Sequence, residues 1–101
     1  MSKSILTFTL EGNTHSVRLS DHALKRMQQR NIHQNVVLSE IVALPVQELK
    51  QYKEQNIDIA IIDDNKDIAV IVSFDHNKIE IITVIDKSDI WVKSGTQIKR
   101  I

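Results

Sequence analysis

The sequence contains no cysteine, so disulfide bonds and thiolate metal sites are excluded and an intracellular location is the default expectation. One proline and two glycines among 101 residues leave little room for long irregular loops. Long apolar runs are also missing: no segment approaches the length of a membrane span, and the first four residues lack the apolar core of a signal peptide. We therefore expect a single cytoplasmic domain over residues 1–101, with no membrane contact.

Neither basic nor acidic residues are in excess. The chain has 13 basic and 13 acidic side chains, and a net charge of zero argues mildly against strong non-specific binding of nucleic acid. The charges are nevertheless unevenly distributed, because residues 1–33 hold five basic and two acidic residues whereas residues 47–67 hold three basic and six acidic ones. A local basic surface is therefore compatible with the neutral total.

No motif for a metal or a cofactor is present. The histidines His15, His22, His33 and His76 are scattered, and none forms an H-x-x-x-H pair. Two glycines are too few for a phosphate-binding glycine loop. The acidic turn over residues 63–67 lacks the glycine and the distal glutamate of a calcium loop. We expect neither a bound metal nor a cofactor.

Local patterns predict the elements of the first half. Apolar and polar residues alternate over 6–10 and again over 16–19, which predicts a short N-terminal hairpin. A helix is predicted over 21–30, where Ser-Asp can cap its start. A second helix is predicted over 35–44, and Pro45 ends it.

The second half is rich in isoleucine and valine. Strands are predicted over 57–62, 68–74 and 79–85, with one further edge strand over 97–101. Residues 46–56 fit a short helix or an extended segment almost equally well. Because short polar turns separate the strands, they imply an antiparallel meander. The predicted fold class is α+β, with the hairpin and two helices packed on a three- to four-stranded antiparallel sheet.

The predicted first helix carries a candidate site. His22, Arg26 and Arg30 are four residues apart, so they share one flank beside the apolar stripe that contains Ala23 and Met27. A histidine can transfer protons near neutral pH, and arginine binds phosphate and stabilises its transition-state charge. The flank would suit metal-independent RNA cleavage. The same spacing is equally typical of ordinary surface residues on an amphipathic helix, and the residues leave both interpretations open.

The motif H-A-x-x-R-M-x-x-R-x-I over residues 22–32 resembles the hallmark helix of an uncharacterised "DUF" family of small bacterial and phage domains. That family is akin to the BrnT toxins, within the wider RelE/ParE-like group. The segment I-I-T-V over 81–84 is similar to the close of the family's last core strand. The resemblance implies a RelE-like fold and a toxin-like, metal-independent endoribonuclease or RNA-binding domain, often silenced by an antitoxin.

Matched residue by residue, the resemblance marks His22, Arg26, Arg30 and Thr83 as candidate catalytic positions. The chain departs from the family in having Asn31 where glycine is frequent, and in its neutral charge, since RelE-type ribonucleases are typically strongly basic.

Further residues carry weaker expectations. Lys25, Lys78 and Lys87 are candidate phosphate contacts, although solvated lysines are the default. Trp91, which lies between two apolar residues, is expected to be a core or interface anchor rather than a base-stacking platform.

An alternative function is a non-catalytic protein-binding module on the same fold, such as a phage-encoded inhibitor or a degenerate toxin. Its contact surface would be the acidic 47–67 stretch or the region around Trp91. A third hypothesis is a homodimer joined by an exposed strand edge. The expected partners are thus RNA, an antitoxin or host protein, or a second copy, and the chain is a monomer or a homodimer.

Overall fold

The computed structural model describes residues 4–10, 12–75 and 78–101. The turn predicted over 75–78 includes His76 and Asn77, which lie outside the described residues. The described elements follow one another as β1 (Ser4–Leu10), β2 (Asn13–Leu19), α1 (Asp21–Gln29), α2 (Gln34–Val42), α3 (Val46–Lys53), β3 (Ile57–Asp63), β4 (Ile68–Asp75), β5 (Lys78–Ile85) and β6 (Thr96–Arg100).

The strands form one six-stranded mixed sheet in the order β1-β2-β5-β4-β3-β6. The predicted RelE-like arrangement with a three- to four-stranded antiparallel sheet is therefore wrong. Two parallel pairings enlarge the sheet: β2 pairs with β5, where Leu19 lies opposite Ile81, and β6 pairs with β3, where Ile98 lies opposite Ala60. Both pairings join segments that are distant in the sequence, so the short turns that suggested a simple meander carry no information about them.

The helices begin and end at identifiable signals. The Ser20 hydroxyl accepts the Ala23 N–H at 3.0 Å and caps α1, and Asn31 adopts a positive φ of 54° just beyond its end. His33 caps α2 by accepting the Asn35 N–H at Nδ1. The segment that the sequence left ambiguous is helical as α3. No helix in the described part of the chain is long and apolar enough to span a membrane.

All three helices pack on one face of the sheet, and the main core lies between the two layers. The strand residues that point to the helices alternate along the strands, except in β5, where a β-bulge against β4 separates Ile81 and Val84 by two residues. Partners from the helices include Ala23 and Met27 of α1 and Ile41 of α2. The buried strand residues of this core are Val17, Leu19, Ile59, Ile61, Ile68, Val70, Val72, Phe74, Ile79, Ile81 and Val84.

The other face of the sheet, here called the rear face, is covered differently. Ala60 and Ile62 are buried although they alternate with the residues that point to the helices. Since β5 and β6 run in the same direction, the connection over residues 86–95 must return along the length of the sheet. Its Ile90 and Val92 are half-buried and lie outside the helix-side core, so we infer that this connection covers the rear face.

Candidate functional site

Helix α1 is fixed at both ends to β5. At its start, the Ser20 hydroxyl donates to the Ile82 carbonyl at 2.9 Å. At its end, the Arg30 guanidinium donates to the Val84 carbonyl, and Arg30 Nε lies 3.2 Å from Asp86 Oδ1. Because Ala23 and Met27 are buried against the sheet, these anchors leave the opposite flank of α1 facing solvent.

The three predicted residues have different environments, and Arg30, which contacts the end of β5, does not lie on that flank. His22 is exposed, and Arg26 is half-buried with its guanidinium donating to the Gln29 amide oxygen at 3.2 Å. The Arg30 side chain is only 26% exposed, and Asp86 balances its charge. Arg30 therefore acts as a structural anchor between α1 and the end of β5. The catalytic role of the set stays a prediction.

Thr83, the fourth predicted residue, lies on the far side of the sheet from α1. It pairs with Ile71 of β4, whereas the next residue, Val84, points into the helix-side core. The sheet therefore separates Thr83 from His22 and Arg26. The lysines are dispersed as well: Lys25 is exposed on α1, Lys78 begins β5, and Lys87 is exposed beyond its end.

The rear face holds a cleft of about 300 Å³ that no pattern in the sequence predicts. Arg18 of β2 and Glu80 of β5 are opposite each other in the parallel register and both line it. Because this pairing joins segments that are distant in the sequence, no local pattern predicts the cleft. Lys78 and Asp75 also line it, so its positive and negative charges balance and it has no preference for an anionic ligand.

A buried pair of carboxyl groups joins α2 to the turn after β3. Glu40 is 1% exposed, and the Lys66 ammonium lies 3.5 Å from its Oε1. Asp63 Oδ1 accepts the backbone N–H groups of Asn65 and Lys66 at 3.0 and 3.1 Å. Two buried carboxylates side by side would repel each other, so this pair is most stable when Glu40 holds a proton that it donates to Asp63.

The electrostatics of the pair agree with that protonation. Burial, followed by the neighbouring Asp63, raises the pKa of Glu40 above its usual range. Burial alone would raise the pKa of Asp63 too, but the Lys66 N–H, the Glu40 side chain and the Asn65 N–H together lower it. No group of three histidine, aspartate or glutamate side chains suited to a metal ion occurs among the described residues. We interpret the pair as a structural link.

The largest exposed apolar side chains lie towards the end of the chain. Trp91 is 88% exposed, whereas its neighbours Ile90 and Val92 are half-buried. Ile98 of β6 is 51% exposed and also projects from the rear face, opposite Ala60. Strand β6 is the last strand of the sheet, and no described strand pairs with its outer edge. Trp91, Ile98 and this outer edge are called the β6 surface below.

The two basic residues of β6 are both neutralised within the chain. Lys99 Nζ lies 2.9 Å from Glu48 Oε1 of α3, and Arg100 lies 3.3 Å from Asp64 Oδ2 in the turn after β3. The hydrogen bond to Glu48 raises the pKa of Lys99 above its usual range. The β6 surface is therefore apolar and close to neutral rather than basic.

Comparisons with known proteins identify no relative. The chain matches no protein-family model, no curated protein and no solved structure. The resemblance to the BrnT-like family thus rests on the motif residues alone and stays a prediction. The function has to be inferred from the geometry described above.

Proposed function

We propose that this protein is a non-catalytic protein-binding domain that acts through the β6 surface. The exposure of Trp91 carries the proposal. Tryptophan is the largest apolar side chain, and where it projects into solvent beside an unpaired strand it is typical of interaction sites. It is also among the residues that contribute most to the stability of protein interfaces. An exposure of 88% excludes the core position and is compatible with an interface anchor or a base-stacking platform.

Charge favours a protein over a nucleic acid as the partner. Binding of single-stranded RNA combines base stacking with a positively charged groove that follows the backbone. In β6, the charges of Lys99 and Arg100 are already balanced by Glu48 and Asp64. A base stacked on Trp91 would gain little from phosphate contacts there. A mostly apolar protein surface complements this region better.

Trp91→Ala is expected to weaken partner binding by about 10- to 100-fold, which is the usual effect of removing a central aromatic anchor. The partner would first be captured with the tagged protein and identified, and its affinity for the purified protein would then be measured. Val42→Ala is the matched control, because Val42 is also exposed, at 41%, but lies on α2. Equal affinities of the wild type and the Trp91 variant would exclude Trp91 as the anchor.

A second candidate function is RNA cleavage or RNA binding through the flank of α1. One observation favours it: the Arg26 guanidinium donates to the neutral Gln29 amide, and Lys25 and His22 are exposed beside it. This flank therefore presents positive charge and a histidine to solvent. Because Arg30 is paired with Asp86, the residues of this flank that could bind a phosphate are Arg26 and Lys25.

The two functions differ in a metal-free cleavage assay. Wild type, His22→Ala and Arg26→Ala are all expected to leave a labelled single-stranded RNA intact in the presence of a chelator, with the products resolved by gel electrophoresis. Cleavage by the wild type that either substitution lowers by about 100-fold or more, the usual contribution of a general acid or base, would instead establish the ribonuclease.

A further inference from the structure

The outer edge of β6 is arranged to pair with an identical strand. We propose that the occupant of the β6 surface is a second copy of this chain, joined by antiparallel pairing of the two β6 strands about a twofold axis at Ile98. The inference rests on the proposed function, since it names the partner of the same surface. It makes the sheet continuous across the dimer.

The backbone of β6 determines which residues are available for pairing. The Ile101 N–H donates inward to the Ile62 carbonyl of β3 at 2.9 Å. Because successive residues of a strand direct their N–H and C=O groups to opposite edges, Lys99 and Gln97 also point inward. The backbone groups of Thr96, Ile98 and Arg100 therefore point outward to the unpaired edge.

A twofold axis at Ile98 satisfies all of these outward groups. It places Ile98 opposite Ile98 of the second copy, and it places Thr96 of each copy opposite Arg100 of the other. In an antiparallel pair, residues with outward groups that lie opposite each other exchange both of their hydrogen bonds. A twofold axis at Gln97 or at Lys99 would leave an outward group of the five-residue strand without a partner in the opposite strand.

The charges of β6 are compatible with the same register. With the axis at Ile98, Lys99 lies opposite Gln97 and Arg100 opposite Thr96, so no cation faces a cation. An axis at Lys99 would place two lysines directly opposite each other, which destabilises a strand pair. Because Glu48 and Asp64 already balance Lys99 and Arg100, the edge brings little net charge to the dimer.

The side chains support this arrangement. Two Ile98 side chains, each 51% exposed in the isolated chain, would lie side by side on the rear face of the joined sheet. Trp91 belongs to the connection on that same face, which enters β6 a few residues later. The dimer therefore brings two half-exposed isoleucine side chains together at the twofold axis and reduces their exposure.

Light scattering of the purified protein tests the oligomeric state. The wild type is expected at about twice the mass of 11.6 kDa for one chain. Ile98→Lys places two ammonium groups opposite each other at the axis and is expected to return the mass to that of one chain. Because Ile98 is half-exposed, the substitution should not unfold the chain, and the variant should unfold at a temperature close to that of the wild-type chain in its monomeric form. A wild type that stays monomeric at high micromolar concentration overturns the inference.

A cysteine at the axis supplies a second test that does not require the dimer to be disrupted. The chain has no cysteine of its own, so Ile98→Cys carries a single thiol. Cα atoms of a hydrogen-bonded antiparallel pair are about 5.5 Å apart, which lies within the range for a disulfide. Mild oxidation is expected to convert Ile98→Cys to a covalent dimer much faster than the control Val42→Cys. Equal rates of the two variants overturn the proposed register.

The outcomes separate this inference from the proposed function. A monomeric wild type that binds another protein, with Trp91→Ala weakening that binding, overturns the second copy as occupant and retains the protein-binding function. A wild-type dimer whose two chains associate more weakly after Ile98→Lys supports both the second copy as occupant and the protein-binding function. A monomer that binds no protein overturns both.

Discussion

Glu40→Gln is expected to make the protein more stable than the wild type at about pH 8, by about 1 to 2 kcal/mol, because on folding the wild type must either take up a proton at Glu40 or bury its charge, and glutamine requires neither. The amide that this substitution introduces would donate to Asp63 as the protonated Glu40 does, and it cannot ionise. Thermal unfolding followed by circular dichroism measures the difference. In a domain of this size, each 1 kcal/mol shifts the midpoint by about 4–8 °C.

The sign of the pH dependence follows from the pKa of Glu40. Since folding raises this pKa, the folded state binds the proton more tightly than the unfolded state does. The stability gained from protonated Glu40 is complete below its ordinary pKa and is lost as the pH rises through the higher pKa of the folded state. The advantage of Glu40→Gln should therefore grow with pH over that window and be small in acid.

Asp63→Asn is the matched control and is expected to have the opposite effect. Folding lowers the pKa of Asp63, so its ionised form stabilises the protein above its ordinary pKa and this contribution disappears as the pH falls. Removal of the charge should destabilise the protein at neutral pH. If Glu40→Gln is instead the less stable variant at about pH 8, then the ion pair between ionised Glu40 and Lys66 outweighs the cost of burying the Glu40 charge.

Arg30→Met is expected to lower the free energy of unfolding by about 2 kcal/mol, because it removes a charged hydrogen bond to Val84 and the ion pair with Asp86 together. Methionine retains most of the apolar stem, so the loss reports the guanidinium rather than the packing. Urea denaturation at neutral pH measures the change.

Arg26→Met is the matched control for Arg30. Arg26 lies one turn earlier, in α1, and its guanidinium donates to the Gln29 amide oxygen on the exposed side of the helix rather than to the sheet. Its substitution is expected to change the stability by less than about 0.5 kcal/mol. Equal effects of the two substitutions would contradict the structural role assigned to Arg30.

Local elements could be predicted from the sequence better than the sheet they build. The helix over 21–30 and the strands of the second half follow from periodicity, and the structure contains them as α1, β3, β4 and β5. The parallel pairs β2–β5 and β3–β6 depend on contacts between distant segments. Side-chain periodicity determines which face of a strand is buried but not which strand lies beside it.

For the candidate site too, local features could be predicted from the sequence and long-range contacts could not. Spacing predicted that His22, Arg26 and Arg30 share one flank of a helix, but Arg30 contacts Asp86, which lies far along the chain, just beyond β5. Trp91 was expected to be buried or at an interface because apolar residues flank it. In the structure burial alternates over these three residues, with Ile90 and Val92 half-buried and Trp91 between them exposed, and the flanking apolar residues alone could not predict which of the three would be exposed.

The parallel pairing of β2 with β5 also determines when the beginning of the chain becomes stable. A two-stranded hairpin is marginally stable alone in water. Strand β2 finds its second neighbour in β5, which begins at Lys78, and α1 depends on β5 for both of its anchors. During synthesis, the hairpin and α1 therefore have to wait until β5 has left the ribosome. These elements are made before β3, β4 and β5 but are fixed in place only with β5.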